Sequence, residues 1–392
     1  MKNEQQFATL AVHAGEAPCP ATGALDTPIY QSTTFVSADA DEMSAVYGEE
    51  KFGYMYTRYG NPTVHALEEK VAALEGGEAA LAFATGMAAI SSAIMGYVKA
   101  GDHVVATRML YGAAYNFLNT KLPRMGAATT FVPSSRVEDL EQAIRPNTRL
   151  IYFETPSNPT LEIVDIAAVA RMAKARGIPT ILDNTFATPA LQRPLELGVT
   201  VAVHSATKYL CGHGDAMGGL VIGPKDYISF LIHEVIRDYG GVISPFNAWL
   251  ILRGIRTLHL RMPAHCANAQ KVAEFLARHP RLERVNYPGL LTHPGHEIAR
   301  KQMQGFGAMI SFEVRDGYEG GKKVMDRVQL FSRAASLGDT RSLIVHPAST
   351  SHRAVPRAER LAMGITDGLV RLSVGIEAVE DLLADLDQAL AF

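Results

Sequence analysis

The middle of the chain alternates short apolar runs with helical segments, and this alternation restricts the possible folds more than any other feature. Helical patterns such as 166–175, which is followed by Gly177 and Pro179, lie between the runs. Strands that read as continuous apolar runs, and that are separated by helices, are typical of a parallel sheet covered on both faces. The sequence therefore predicts an α/β protein with a mostly parallel sheet. The runs span residues 79–83, 103–107, 129–132, 150–154, 180–182, 199–203 and 219–222.

Three regions are predicted from changes along the chain. Residues 1–60 lack a sustained helical period and are expected to form an extended arm. Asn61 and Pro62 then favour the start of a helix, and Gly76 and Gly77 should end it. This helix is predicted to begin a large domain over 61–247. From 248 onward, helical patterns precede short strand patterns, which predicts a smaller α+β domain over 248–392. Its predicted helices are 248–257, 264–278 and 379–391, and its predicted strands are 309–314, 342–346 and 369–373.

Composition and charge exclude several classes of protein. The uncharged stretch 79–98 is long enough to cross a bilayer, but it is rich in small residues and interrupted by Gly86, which favours a buried strand followed by a buried helix. The net charge of −3 favours neither a nucleic acid nor a membrane partner. The three cysteines are scattered, and the N-terminal sequence lacks the pattern of a signal peptide, so we expect a cytoplasmic protein.

The segment His204-Ser205-Ala206-Thr207-Lys208 follows an apolar run and carries the strongest chemical signal. Desolvation at a strand end lowers the pKa of an amine, and the neutral amine of Lys208 could then attack a carbonyl carbon. Ser205 and Thr207 alternate with this lysine and offer two hydroxyl groups for a phosphate. Taken alone, the segment fits a surface lysine at the start of a helix at least as well.

Four further residues strengthen the prediction. Asp183 ends the apolar run before Lys208, so both are expected at the carboxyl edge of neighbouring strands, where open α/β sheets bind ligands. A buried aspartate there can hold a proton on a pyridine nitrogen. Gly86 and Met87 lie at a strand-to-helix turn suited to phosphate, and Tyr111 follows the next strand, where it could stack on a ring. Together these residues predict a site for pyridoxal 5′-phosphate (PLP).

Metal and nucleotide sites have little support in the sequence. His293, His296, His346 and His352 show no metal-ligand spacing, and paired cysteines are absent, so no metal is expected. Neither a GxxxxGK[ST] motif nor a GxGxxG motif after a strand occurs.

Several longer motifs, in this order, resemble the γ-family of PLP-dependent enzymes of cysteine and methionine metabolism. The resemblance extends from Val12-His13-Ala14-Gly15 to Val370-Arg371-Leu372-Ser373-Val374-Gly375, which is nearly the whole chain. The motifs between these ends are Tyr56-Thr57-Arg58-Tyr59-Gly60-Asn61-Pro62-Thr63, Ser157-Asn158-Pro159, Asp183-Asn184-Thr185, His204-Ser205-Ala206-Thr207-Lys208-Tyr209 and Gly212-His213-Gly214-Asp215.

This resemblance implies a fold-type I, aminotransferase-like architecture and a homotetramer built from two tight dimers. It implies that Lys208 forms a Schiff base with PLP and moves protons, that Asp183 holds the pyridinium proton, and that Tyr111 stacks on the ring as an acid or base. Further residues would bind the phosphate (Gly86, Met87, Ser205, Thr207), the phosphate of the neighbouring subunit (Tyr56, Arg58), the region of the phenolic oxygen (Asn158) and the substrate carboxylate (Ser336, Arg371).

The motifs alone leave the reaction open among γ-elimination, β-elimination and γ-replacement. Members that process cystathionine usually carry glutamates at the positions of Met55 and Ala335, and the apolar residues here favour methionine or homocysteine as substrate. Ala113 stands where many methionine γ-lyases have cysteine, which weighs against strict methionine specificity. The sequence therefore predicts a methionine γ-lyase-like enzyme. Cystathionine γ-lyase, an O-acetyl- or O-succinylhomoserine sulfhydrylase and a catalytically silent homologue are the alternatives.

Overall fold

The computed structural model describes residues 5–353 and 355–392, and its larger sheet has seven strands. Strands β2 to β6 are parallel to one another, whereas β7 is antiparallel to both β1 and β6. The order across the sheet is β1-β7-β6-β5-β4-β2-β3. The predicted mostly parallel sheet is thereby confirmed. The strands are β1 Ala79–Phe83, β2 His103–Thr107, β3 Ala128–Val132, β4 Thr148–Glu154, β5 Thr180–Asp183, β6 Val201–Ser205 and β7 Gly219–Gly223.

The second sheet has five strands in the order β10-β11-β12-β9-β8. All its pairings are antiparallel except that of β10 with β11. Its strands are β8 Leu282–Asn286, β9 Met309–Val314, β10 Ser332–Arg333, β11 Leu343–Val345 and β12 Leu369–Ser373. A second, smaller sheet after the first agrees with the predicted α+β region, while the boundaries at 60 and 247 stay a prediction.

Helices cover both faces of the large sheet and flank the small one. Short π-helical or 3₁₀ stretches continue some of them, at Phe117–Lys121, Leu122–Met125 and Ile232–Ile236. The α-helices are α1 Phe7–His13, α2 Ala40–Tyr47, α3 Pro62–Glu75, α4 Gly86–Met95, α5 Gly112–Asn116, α6 Val137–Gln142, α7 Ile166–Lys174, α8 Thr188–Leu191, α9 Lys225–Leu231, α10 Arg237–Tyr239, α11 Pro245–Ile255, α12 Leu258–Ala277, α13 His296–Gln302, α14 Gly317–Arg327, α15 Arg357–Ala362 and α16 Val379–Leu390.

Local sequence signals place the helices that matter most for the site. Asn61 caps α3 by accepting a hydrogen bond from the backbone of Thr63, and Gly76 ends that helix in the left-handed conformation, both as predicted. The uncharged stretch 79–98 divides into β1 and α4, as predicted, and Thr85 caps α4 at its start. None of the helices in the described part of the chain combines the length and apolarity needed to cross a membrane.

Two expectations about helices were wrong. The first 60 residues contain α1 and α2, and α2 begins at a capping aspartate, Asp39, which accepts from the backbone of Glu42. A seven-residue helix such as α1 shows too few turns for its period to stand out in sequence. Helix α12 begins at Leu258 rather than after Pro263, because its first turns are buried and packing outweighs the proline at this position.

Candidate active site

The carboxyl ends of three adjacent parallel strands form the floor of a cavity of about 370 Å³. Glu154 and Asp183 end β4 and β5 as register partners, and Ser205 ends β6 beside them. Loops after β1 and β2 and a segment before β11 complete the walls. The lining residues are Thr85, Gly86, Met87, Ile90, Tyr111, Glu154, Asn158, Asp183, Thr185, Phe186, Ser205, Thr207, Lys208, Ala335, Ser336, Leu337 and Arg371.

Most of the predicted site residues meet in this cavity. Those that line it are Gly86, Met87, Tyr111, Asn158, Asp183, Ser205, Thr207, Lys208, Ser336 and Arg371. Tyr56 and Arg58 lie elsewhere, in a surface depression near Gly240 and Gly241. The Arg58 guanidinium donates to the backbone carbonyl of Arg237 and lies 5.5 Å from the centre of the Tyr56 ring. Within one chain, therefore, these two residues do not contribute to the cavity.

The amine of Lys208 is held in a desolvated position. It donates a hydrogen bond of 3.0 Å to the hydroxyl of Ser336. Burial lowers the pKa of the Lys208 amine, and the positive charge of Arg371 lowers it further. A lysine in this environment releases its proton more easily than a solvated one and is suited to act as a nucleophile or base.

Thr185 connects Asp183 to the end of the neighbouring strand. Its hydroxyl donates to Oδ1 of Asp183 at 2.5 Å and accepts from the backbone N–H of Ser205 at 2.8 Å. Burial raises the pKa of the Asp183 carboxyl, whereas the hydroxyl and backbone N–H of Thr185 and the charge of His204 lower it. Asp183 is thus a buried acid whose anionic form is supported from one side, with its pocket side available to a cationic ring nitrogen.

Helix α4 starts close against the end of β6. A Cβ atom added at Gly86 would lie 2.7 Å from the Cβ of Ser205, a contact that real side chains do not make. Only glycine therefore allows the helix N-terminus and the Ser205 hydroxyl to share one concave surface. Free N–H groups at the start of a helix attract anions, and the hydroxyl of Ser205 adds a further donor. This end of the cavity is suited to a phosphate.

Arg371 lies in β12, at the opposite side of the cavity. Its guanidinium donates to Oδ1 of Asn158 at 2.9 Å and to the backbone carbonyl of Ser336 at 3.0 Å. Burial lowers the pKa of Arg371 to about 10, so the group keeps its charge at neutral pH. Both hydrogen-bond partners are uncharged, which leaves the guanidinium suited to a carboxylate from a ligand.

Two lining residues that the sequence analysis did not select have clear contacts. Glu154 accepts a hydrogen bond from the backbone of Tyr111, and Thr185 supports Asp183. The signal for Glu154 was present, because it is a charged residue that ends an apolar run, as Asp183 is. Thr185 lies two residues after Asp183 in a quoted motif, but its sequence position did not reveal the contact with Ser205.

None of the four histidines weighed as metal ligands lines the cavity, although His352 lies near Gly112 at its edge, and several of them bond to backbone groups. His293 accepts from the backbone N–H of Gly295, while His296 and His346 bond to the carbonyls of Pro288 and Asp367. Within the described ranges, no group of three or more potential ligands is placed to hold a metal ion.

Comparison with known proteins identifies the family to which this arrangement of residues belongs. A sequence profile described as "Cys/Met metabolism PLP-dependent enzyme" matches residues 8–391. The chain belongs to this family. The resemblance stated from the motifs is confirmed, and with it the dependence on PLP.

Relatives within this family share the whole length of the chain. It is 50% identical to an L-methionine gamma-lyase from Fusobacterium nucleatum, over 97% of both chains. It is 47% identical to a cystathionine gamma-lyase from Bacillus subtilis, over 97% of this chain and 98% of the relative. The crystal structure of metB from Corynebacterium glutamicum superposes with a TM-score of 0.94 at 44% identity, covering 100% of this chain and 99% of the other. The expected fold-type I architecture is confirmed.

The residues present fit PLP. The cavity holds a desolvated amine at Lys208, a buried acid at Asp183 for the ring nitrogen, and a glycine-dependent anion cradle beside Ser205. These three groups are chemically complementary to the aldehyde, the pyridine nitrogen and the phosphate of PLP. Tyr111 lines the same cavity with its side chain 46% exposed, which leaves its ring face available for stacking.

Proposed function

We propose that this enzyme catalyses γ-elimination from L-methionine or L-homocysteine, giving 2-oxobutanoate, ammonia and a thiol. The observation that carries the proposal is the set of residues that line the cavity but are not assigned to the cofactor. Arg371 offers a buried cation for the α-carboxylate, while Phe186, Ala335 and Leu337 supply apolar lining. A thioether fits such a lining, whereas burying the distal ammonium of cystathionine without a partner costs several kcal/mol.

Each predicted residue has a role in this proposal. PLP, when bound, withdraws electrons from the substrate carbon skeleton through its protonated ring. Asp183 holds the proton on the ring nitrogen, and Gly86, Met87, Ser205 and Thr207 bind the phosphate. Asn158 orients the phenolic side of the ring, and Arg371, with the backbone of Ser336, binds the substrate carboxylate.

Proton transfer is assigned to Lys208 and Tyr111. The amine of Lys208 would hold the cofactor in the resting enzyme. Once released by the substrate, it would remove the Cα proton, pass that proton on to the cofactor and, neutral again, remove a Cβ proton. Its lowered pKa supports this role, since a base must be neutral to accept a proton. Tyr111 stacks on the ring and supplies a proton to the departing sulfur.

The active enzyme is proposed to be a homotetramer of two dimers with shared sites, located in the cytoplasm. The position of Tyr56 and Arg58 supports sharing, because both lie outside the cavity of their own chain. Across a dimer they would reach the phosphate of the neighbouring site. Cys19, Cys211 and Cys266 are all free thiols, as a reducing compartment requires.

A substrate panel tests the proposed reaction. Release of 2-oxo acid is measured from L-methionine, L-homocysteine, L-cysteine and L-cystathionine, and thioether or homocysteine formation from homoserine esters with a thiol or sulfide. We expect methionine or homocysteine to give the highest kcat/KM. Cystathionine ahead by more than about tenfold, or about 1.4 kcal/mol in the transition state, would contradict the proposal. An ester reaction faster than every elimination would establish a sulfhydrylase instead.

A further inference from the structure

Glu154 lines the cavity and has a buried carboxyl group. The proposed reaction does not use this group. It ends β4 opposite Asp183 in the register of the parallel pair and is only 4% exposed. A carboxyl group buried beside another carboxyl group is costly, so its presence calls for compensating contacts.

Those contacts join two loops on either side of the cavity. The Oε2 atom of Glu154 accepts a hydrogen bond of 2.7 Å from the backbone N–H of Tyr111, which follows β2. The backbone N–H of Asn158, in the loop after β4, also faces this carboxyl group and, like that of Tyr111, offsets part of the burial that raises its pKa. Glu154 therefore lies between the loop of the ring-stacking tyrosine and the loop of Asn158.

From Asn158 the contacts continue to the reactive lysine. The guanidinium of Arg371 bonds to Asn158 Oδ1 and to the backbone carbonyl of Ser336, and the hydroxyl of Ser336 accepts from Lys208 Nζ. A chain of polar contacts thus runs from Tyr111 to Lys208, and Glu154 is its link to Tyr111. The spacing of these groups matters, because misplacing a reacting group by 1 Å can cost about 10²-fold in rate.

We propose that Glu154 is a positioning residue that fixes the Tyr111 loop relative to Asn158, Arg371 and Lys208. The inference rests on the proposed roles of Tyr111 and Lys208, while Glu154 itself transfers no proton. For this role, residue 154 needs an oxygen that accepts a hydrogen bond at the end of a side chain as long as that of glutamate.

The proton distribution between the two neighbouring carboxyls supports this role. Burial and the nearby Asp183 hold the pKa of Glu154 well above its usual range. Thr185 and His204 favour the anion on Asp183, whereas the backbone N–H groups of Tyr111 and Asn158 and the charge of Arg371 offset only part of the rise in the pKa of Glu154. Since two adjacent buried carboxylates do not both ionise readily, the proton belongs on Glu154. A glutamine, which is neutral and keeps an acceptor oxygen, should therefore replace it well.

The test compares Glu154→Gln with Glu154→Met, which keeps the length but removes the acceptor. Glu162→Gln is the matched control, because it removes a partly buried carboxyl nearby that has no role in these contacts. For each variant, kcat and KM are measured with the best substrate of the parent enzyme. The dissociation constant of PLP is measured by titration of the apoenzyme. A double-mutant cycle pairs Glu154→Met with Tyr111→Phe.

We expect Glu154→Met to lower kcat by about 10²-fold and to weaken PLP binding, with losses that are not additive with those of Tyr111→Phe. Glu154→Gln should lose only a few-fold. A kcat and PLP affinity of Glu154→Met equal to those of Glu162→Gln would overturn the proposal, as would additive losses. If Glu154→Met does not fold, Glu154→Asp replaces it in the cycle with the same criteria. A parent that fails the substrate panel would refute the proposed reaction, while the PLP titrations would still decide the role of Glu154.

Discussion

The amine of Lys208 and the hydroxyl of Ser336 lie 3.0 Å apart although 128 residues separate them in sequence. Lys208 follows β6 of the large sheet, whereas Ser336 lies between β10 and β11 of the small one. The hydrogen bond therefore forms only when the two sheets are packed together. The lysine proposed to react and the residue proposed to help bind substrate are positioned by the same contact between sheets.

Replacing Lys208 by alanine should remove turnover. The variant lacks the amine proposed to accept the Cα proton, and general base catalysis contributes about 10²–10⁴-fold, so kcat should fall by at least this factor. Lys225→Ala removes an exposed lysine and serves as the control. The visible absorbance of added PLP with L-methionine, compared between variants, shows whether cofactor still binds. A Lys208→Ala enzyme that turns over at the parent rate would refute the assignment.

Replacing Thr185 by valine should make PLP binding more sensitive to acid. Burial already raises the pKa of Asp183, and Thr185 opposes this, so the variant should have a still higher pKa at Asp183. Because the proposed contact with the cofactor ring requires the anion of Asp183, the PLP affinity of Thr185→Val should begin to fall at a higher pH than that of the parent as pH decreases. Thr185→Ser keeps the hydroxyl and should follow the parent. The dissociation constant of PLP measured against pH decides this, and identical profiles for valine and serine would contradict it.

The sequence predicted the parts of the site that depend on strand ends. Asp183, Ser205 and Lys208 lie at adjacent strand ends as expected, because consecutive strands of an α/β sheet commonly lie side by side, as β5 and β6 do here. The contact of Lys208 with Ser336 and that of Glu154 with Tyr111 were not predicted by sequence position. Both join residues far apart in the chain, and such pairings depend on tertiary packing that no local pattern records. Strand β6 itself lies two residues later than predicted, since Val199 is buried outside the strand.

Subunit mixing tests the shared site. If Tyr56 and Arg58 complete the phosphate site of a neighbour, each active site takes Arg58 from one chain and Lys208 from the other. Arg58→Ala and Lys208→Ala then damage a site through different chains. Mixed subunits would then contain some sites with neither substitution, and partial activity should return. Activity is measured after the two inactive proteins have been dissociated and reassembled together, with mass spectrometry to verify subunit exchange. Exchange without any recovery of activity would count against shared sites.

Replacing Lys70 by methionine should destabilise the attachment of the N-terminal region. Its fully buried amine donates to the carbonyl of Ala11 at 2.9 Å and pairs with Glu16 at 2.8 Å. Removing one partner leaves the buried Glu16 carboxylate with Arg256 alone, and we expect a loss of about 3 kcal/mol in the free energy of unfolding. Lys51→Met breaks the exposed pair with Glu42 and should cost at most about 1 kcal/mol. Urea denaturation of the apoprotein measures both, and equal losses would contradict the prediction.

Replacing Ala335 by glutamate should shift the substrate preference toward L-cystathionine. Ala335 lines the cavity next to Ser336, so a carboxylate there could pair with the distal ammonium of cystathionine. For methionine, the same carboxylate would be an unpaired charge near an apolar thioether, which lowers its kcat/KM. Ala335→Gln provides the same size without charge. The ratio of kcat/KM for cystathionine to that for methionine should rise by more than about tenfold in the glutamate variant, or about 1.4 kcal/mol, and remain near the parent value in the glutamine variant. If both variants changed the ratio equally, size rather than charge would determine the preference, and the apolar lining would no longer explain why a thioether is favoured.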